Sequence, residues 1–121
     1  MTSCIPKEQR AAYLRARLRP AELLRSLEAA NQPGRPYADL IGIKGSASEW
    51  REVREIHGPA FREEIESDPE ITALLDGMRA LGFEFGWGGY SDPTGEEFTL
   101  HIRRNREAEA RLRALVAESR P

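Results

Sequence analysis

Residues 68–103 read DPEITALLDGMRALGFEFGWGGYSDPTGEEFTLHIR, and the order of signals along this stretch decides the fold. Ser67 or Asp68 is placed to cap a helix, Pro69 stands at a first helical position where its missing N–H costs nothing, and Gly82 follows the last turn. Ile71, Leu74, Leu75, Met78 and Leu81 repeat at i, i+3, i+4, i+7, so the spacing predicts an amphipathic helix that lays an apolar stripe on the hairpin after it. The period then drops to two. Phe83, Phe85 and Trp87 alternate with Glu84, Gly86 and Gly88, and Phe98, Leu100 and Ile102 alternate with Thr99, His101 and Arg103, as in two half-buried strands around a turn.

Facing residues of an antiparallel pair point to the same side, so the two apolar triplets require an odd number opposite an even one. The expected alignment sets 87 opposite 98, 85 opposite 100 and 83 opposite 102, with 91–94 as a four-residue loop. Glu84 then faces His101, Gly86 faces Thr99, and Arg103 lies diagonal to Glu84. A three-residue loop at 93–95 closed by a bulge would break this alignment unless Gly88-Gly89 absorbs another residue.

Working outward, 6–34 reads as a helical pair. Ala11, Leu14 and Leu18 form a thin stripe on the first helix, Pro20 separates it from the second, and Leu23, Leu24, Leu27 and Ala30 form the face of that one. The run Leu40-Ile41-Gly42-Ile43 suits either a third strand or a buried loop. A helix starts near Ser48, where Ser46 and Glu49 have capping-box spacing, and carries Trp50, Val53 and either Ile56 or His57 inward. Gly58-Pro59 is expected to end it, with a short helix bearing Phe61 and Ile65 beyond. After the hairpin, Asn105 can cap a final helix with Ala108, Leu112, Leu115 and Val116 inward and with Glu107–Arg111 and Glu109–Arg113 as surface pairs. The expected class is α+β: five or six helices packed on one face of a small antiparallel sheet built around a β-hairpin at 83–90 and 96–103, with helix, hairpin and helix in order through the C-terminal half. Residues 1–121 are read as one domain, with 1–5 mobile and 46–121 carrying the later helices and the hairpin.

Composition narrows the chemistry. At 121 residues a chain can bury roughly two-thirds of its unfolded surface and needs no disulfide. The single Cys4 cannot form an internal bridge, and no spacing of Cys and His matches a zinc site, so neither metal nor cofactor is expected. No apolar run approaches the ~20 residues of a membrane span and no basic-then-apolar leader opens the chain, so a cytoplasmic location without membrane contact is expected. Net charge is −2, distributed as +4 over 1–38, −9 over 39–97 and +3 over 98–121. Interleaved ends would neutralise the centre; segregated ends would make a dipole.

Four features carry functional expectations. On the outer face of the hairpin, Glu84, Tyr90, Glu97, His101 and Arg103 surround Gly86 and Gly88, which would admit a ligand or another backbone; a carboxylate facing His101 could orient it as a general base, with Arg103 binding an anion. Arg103, Arg104 and Arg106 cluster where strand meets final helix and could hold phosphate, RNA or an acidic partner. Gly42-Ile43-Lys44-Gly45 after Ile41 resembles the IGxxG loop by which KH domains clamp a nucleic-acid backbone, with Ser48 where that family usually has an apolar residue. The element order is similar to a winged-helix DNA-binding module, which implies 69–81 as recognition helix, the hairpin as wing and a homodimer through the C-terminal helix. Asp68, Glu70 and Asp76 on that helix, and Asp92, Glu96 and Glu97 on the wing, would repel phosphate. No catalytic set is identifiable by spacing. The expectation is therefore a small non-catalytic interaction protein (an adaptor, regulatory subunit or inhibitor) that binds a protein partner through charged surfaces. A winged-helix-like or KH-like nucleic-acid-binding regulator is the alternative, and a small enzyme using the outer hairpin face is third.

Overall fold

The structure, a computed structural model, describes residues 7–30, 34, 36–45, 48, 50–92 and 95–119. The expectation for 1–5 and the capping box of Ser46 with Glu49 lie outside the described residues. The elements are α1 (Lys7–Arg17), α2 (Pro20–Ala29), β1 (Tyr37–Gly45), α3 (Trp50–Glu52), a π-helical turn (Val53–His57), α4 (Gly58–Glu66), α5 (Pro69–Ala80), β2 (Phe85–Asp92), β3 (Gly95–Arg103) and α6 (Arg106–Glu118). Helices pack on one side of a three-stranded antiparallel sheet in the order β1-β3-β2, an α+β architecture.

The helix at the centre of the sequence reading forms as its ends require. Asp68 Oδ1 accepts the N–H groups of Glu70 and Ile71, both at 3.0 Å, and Gly82 continues the chain at φ +107°, open only to a residue without Cβ. Ile71, Leu75 and Met78 are buried in one cluster with Phe83, Leu100 and Ile102, and α5 also neighbours α1 and α4. The other carboxylate oxygen of Asp68 takes Arg15 Nη1 at 2.7 Å, which ties α1 to the start of α5. Asp68→Ala should therefore cost about 2 kcal/mol in a urea titration, the sum of a lost cap and a lost charged bond, while Asp68→Asn, which keeps the cap, should cost about half as much.

Gly58-Pro59 does not end its helix. Gly58 N–H bonds to the carbonyl of Val53, five residues back, so the π turn interrupts the i→i−4 ladder and Pro59 occupies a first-turn position of α4, where no N–H is needed. The widened turn also changes which residues face inward. Val53 is fully buried, and of the two alternatives for the second inward position Ile56 is 60% exposed while His57 is turned partly inward. The side chain of Trp50 lies outside the described residues. Gly58 serves packing: a Cβ there would stand 3.0 Å from the ring of Phe98 on β3.

In the sheet, the parity argument holds and the offset does not. Phe85 pairs with Ile102, Trp87 with Leu100 and Gly89 with Phe98, two residues away from the expected alignment, and pairing continues to Asp92 opposite Gly95. A two-residue slip keeps every side chain on its own face, so Phe83, Leu100 and Ile102 are buried and Phe85, Trp87 and Phe98 pack against the same cluster. The observed offset places Gly89 opposite Phe98, and Trp87 stacks on Phe98 at 5.8 Å while meeting Phe61 of α4 edge-on at 5.6 Å. Residues 40–43 belong to β1, a full strand on the far side of β3. A bulge between Asp39 and Ile41 breaks its alternation and allows both Leu40 and Ile41 into the core. Arg17 Nη1 donates to the Leu40 carbonyl there.

Candidate functional site

The sheet's reverse face carries the principal candidates of the sequence, and β1 supplies one of its three strands. Across the three strands, Tyr37, Arg103 and Glu84 form one row, Asp39, His101 and Gly86 the next, Gly42, Thr99 and Gly88 the third, and Lys44, Glu97 and Tyr90 the fourth. Glu84 does not face His101: its carbonyl accepts the N–H of Arg103 at 2.9 Å, and its carboxylate lies 3.5 Å from Arg103 Nη1. Both side chains are mostly exposed, so this is a screened surface pair.

His101 stands at the middle of this face. Its ring leans across the two glycines of β2, where a Cβ on Gly86 would come 2.7 Å from Nε2 and one on Gly88 3.2 Å from Cε1. Tyr37 closes the opposite side, edge-on at 5.0 Å. The glycines were expected to admit a ligand; they seat the imidazole instead. Gly42 is equally committed, since a Cβ there would meet Thr99 Cγ2 at 2.7 Å. Thr99 itself is 2% exposed and donates its hydroxyl to the Gly88 carbonyl at 3.2 Å. Gly42, Lys44 and Gly45 therefore belong to a paired strand, not to a phosphate-clamping loop, and the KH-like geometry does not form. Lys44 and Glu97 sit opposite each other, and both are engaged in polar or electrostatic contacts. The side chain of Tyr90 lies outside the described residues.

The arginine cluster separates. Arg104 turns inward: Nη2 donates to Glu109 Oε1 at 2.6 Å, its N–H to the Pro36 carbonyl at 2.7 Å, and its side chain is 17% exposed against 9% for Glu109. The second oxygen of Glu109 takes the N–H of Asn105, whose own side chain caps α6 through Ala108 N–H. Glu109 is thus a buried clasp at the start of α6, not the surface partner of Arg113, which lies 3.6 Å from Glu28 of α2. Arg104 leaves the set of binding candidates; Arg103 and Arg106 remain exposed on either side of it. The expected Glu107–Arg111 pair is present at 3.8 Å. Ala108, Leu112 and Val116 point into the core and Leu115 is half-buried, so a dimer through α6 would rest on that helix's polar outer positions.

Tyr37 and Asp39 were not anticipated, because the bulge hid the alternation of β1. A second omission lies on the opposite side of the molecule. Arg10 of α1 is 7% exposed, and its Nε has no hydrogen-bond partner. It lines an open cleft of about 410 Å³ with His57, Phe61, Glu63 and Glu64. The signal was present: Arg10, Leu14 and Leu18 are spaced i, i+4, i+8, which puts the guanidinium on the buried stripe.

Among the described residues no group of His, Cys, Asp and Glu could hold a metal ion, and no helix is long and apolar enough to cross a membrane. No family model, no curated protein and no solved structure matches the chain.

Proposed function

We propose that the chain is a small non-catalytic interaction protein, acting in the cytoplasm as an adaptor, regulatory subunit or inhibitor, and that it binds a protein partner with the reverse face of its sheet. The observation that carries this reading is the layout of that face. Charges of both signs stand in register around an aromatic centre: Glu84 with Arg103, Asp39 beside His101, Lys44 with Glu97, and Tyr37 still 49% exposed after packing on His101. Mixed charge around rigid aromatic side chains suits a protein surface of complementary pattern, where tyrosine and arginine anchor binding at little entropic cost. The imidazole is hemmed in by Tyr37 and two glycines, which disfavours its use as a base.

The test is affinity purification of the chain from its source cell, analysed for both protein and nucleic acid, beside the variants Tyr37→Ser and Arg103→Glu. A stable protein partner should be recovered, and each variant should weaken it at least tenfold, which corresponds to about 1.4 kcal/mol for an anchoring residue. Recovery of no protein, or of one indifferent to both variants, would refute the reading. A nucleic-acid-binding regulator is the second reading, favoured by the succession of α5, hairpin and α6 that resembles a winged-helix module. Its mark would be affinity that falls steeply as salt rises.

A further inference from the structure

The two edges of the sheet are not alike. On β1 a bulge between Asp39 and Ile41 breaks the strand, and Arg17 of α1 donates to the Leu40 carbonyl; both features hinder the addition of a further strand. β2, at the other end of the order β1-β3-β2, has neither. It pairs with β3 without interruption from Phe85 to Asp92, contains no proline, and has no charged residue between Glu84 and Asp92. The bond from Arg103 N–H to the Glu84 carbonyl sets the phase of the ladder. Even positions of β2 turn their N–H and carbonyl groups to β3, and Phe85, Trp87, Gly89 and Ser91 turn theirs to the outside. Among the described residues no other element's backbone bonds to those four.

The spacing of glycine along β2 selects the strand that fits. An antiparallel neighbour must bond at the odd positions, carry no charge along the paired segment and set a small residue beside each large one. β2 itself, reversed about Gly88, meets all three conditions: Phe85 then stands opposite Ser91, Gly86 opposite Tyr90, Trp87 opposite Gly89, and Gly88 opposite its own counterpart. We propose that the free edge of β2 pairs with β2 of a second copy of this chain, about a twofold axis at Gly88, joining two three-stranded sheets into one. Each bonded pair exchanges both of its N–H···O bonds. The apolar gain comes from Phe85 and Trp87, which are only partly covered in one copy and lie beside Ser91 and Gly89 of the other. The adverse feature is Glu84 opposite Asp92 at both ends of the paired segment, where like charges weaken the dimer without preventing it. This contact uses the edge of β2 and not the charges of the reverse face, so it stands whether or not a partner protein binds that face.

The experiment is sedimentation equilibrium of the purified full chain, joined with amide hydrogen exchange followed by NMR at the same concentrations. The mean mass should rise from one chain toward two as the concentration increases into the millimolar range. Over that range exchange should slow about tenfold at Trp87, Gly89 and Ser91, while Gly86 and Gly88, already bonded to β3, stay protected throughout. Gly89→Pro removes an outward N–H at a position where an edge strand tolerates proline, and should leave a folded monomer. Asp92→Asn should tighten the dimer several-fold, as should added salt, because each relieves the opposition of Glu84 and Asp92. A chain that stays monomeric throughout, as it would if this edge accepts only a strand of another protein, would overturn the proposal. So would a dimer whose odd β2 amides still exchange freely, one that survives Gly89→Pro, or one that Asp92→Asn leaves unchanged.

Discussion

Glu109→Ala should lower the stability of the domain by about 3 kcal/mol, out of a total of ~5–15 kcal/mol usual for a chain of this size. The carboxylate holds Arg104 at 2.6 Å and the N–H of Asn105 at 3.2 Å, so its removal strands a guanidinium that is only 17% exposed and frees a donor at the entry to α6. Breaking one side of a buried ion pair costs ~3–5 kcal/mol, and residual exposure of Arg104 places this case at the lower end. In thermal unfolding followed by circular dichroism, the midpoint should fall by roughly 10 °C. Glu107→Ala, two residues away, is the control: its partner Arg111 is 3.8 Å distant and both are largely exposed, so the change should stay within about 0.5 kcal/mol. Equal effects of the two substitutions would mean that the clasp does not hold α6 in place.

Gly58→Ala should destabilise by about 2 kcal/mol, although helix propensity alone favours alanine by about 1 kcal/mol. The new methyl would stand 2.6 Å from the Val53 carbonyl and 3.0 Å from two atoms of the Phe98 ring. Neither can retreat easily, because the carbonyl is hydrogen-bonded within the π turn and the ring is stacked on Trp87. Gly77→Ala offers the opposite sign on the same measurement. It lies in α5 with nothing within 4 Å of its added Cβ, so the substitution should stabilise by about 0.5–1 kcal/mol. If Gly58→Ala also stabilises in urea denaturation, the close approach of this helix to β3 is wrong.

These two substitutions show where sequence was a sound guide. At Gly77, residue type and helical context suffice. At Gly58 the same residue type reads locally as a stop signal, because the widened turn and the ring of Phe98 that give it a packing role lie outside any local window. The candidate face divides in the same way. Its β3 members, His101 and Arg103, and its neighbour Glu84 were readable from alternation; Tyr37 and Asp39 were not, because a bulge shifts the period of β1 by one residue. Arg104 and Arg106 look alike in sequence, yet one is buried in an ion pair and the other exposed.

By itself the sequence determined what is decided within a few residues: the start of α5 at Ser67 or Asp68, the cap at Asn105, the buried faces of α2, α5 and α6, and the rule that odd positions of β2 meet even positions of β3. Those follow from backbone geometry, which sets the periods of helix and strand whatever else is present. Only the tertiary structure decided the offset of the hairpin by two residues, the entry of β1 into the sheet and the passage of the helix through Gly58-Pro59. A slip by two preserves every face, so periodicity cannot distinguish the registers; the distinction is made by side chains far apart in the chain, Phe98 against Gly58, and His101 against Gly86 and Gly88.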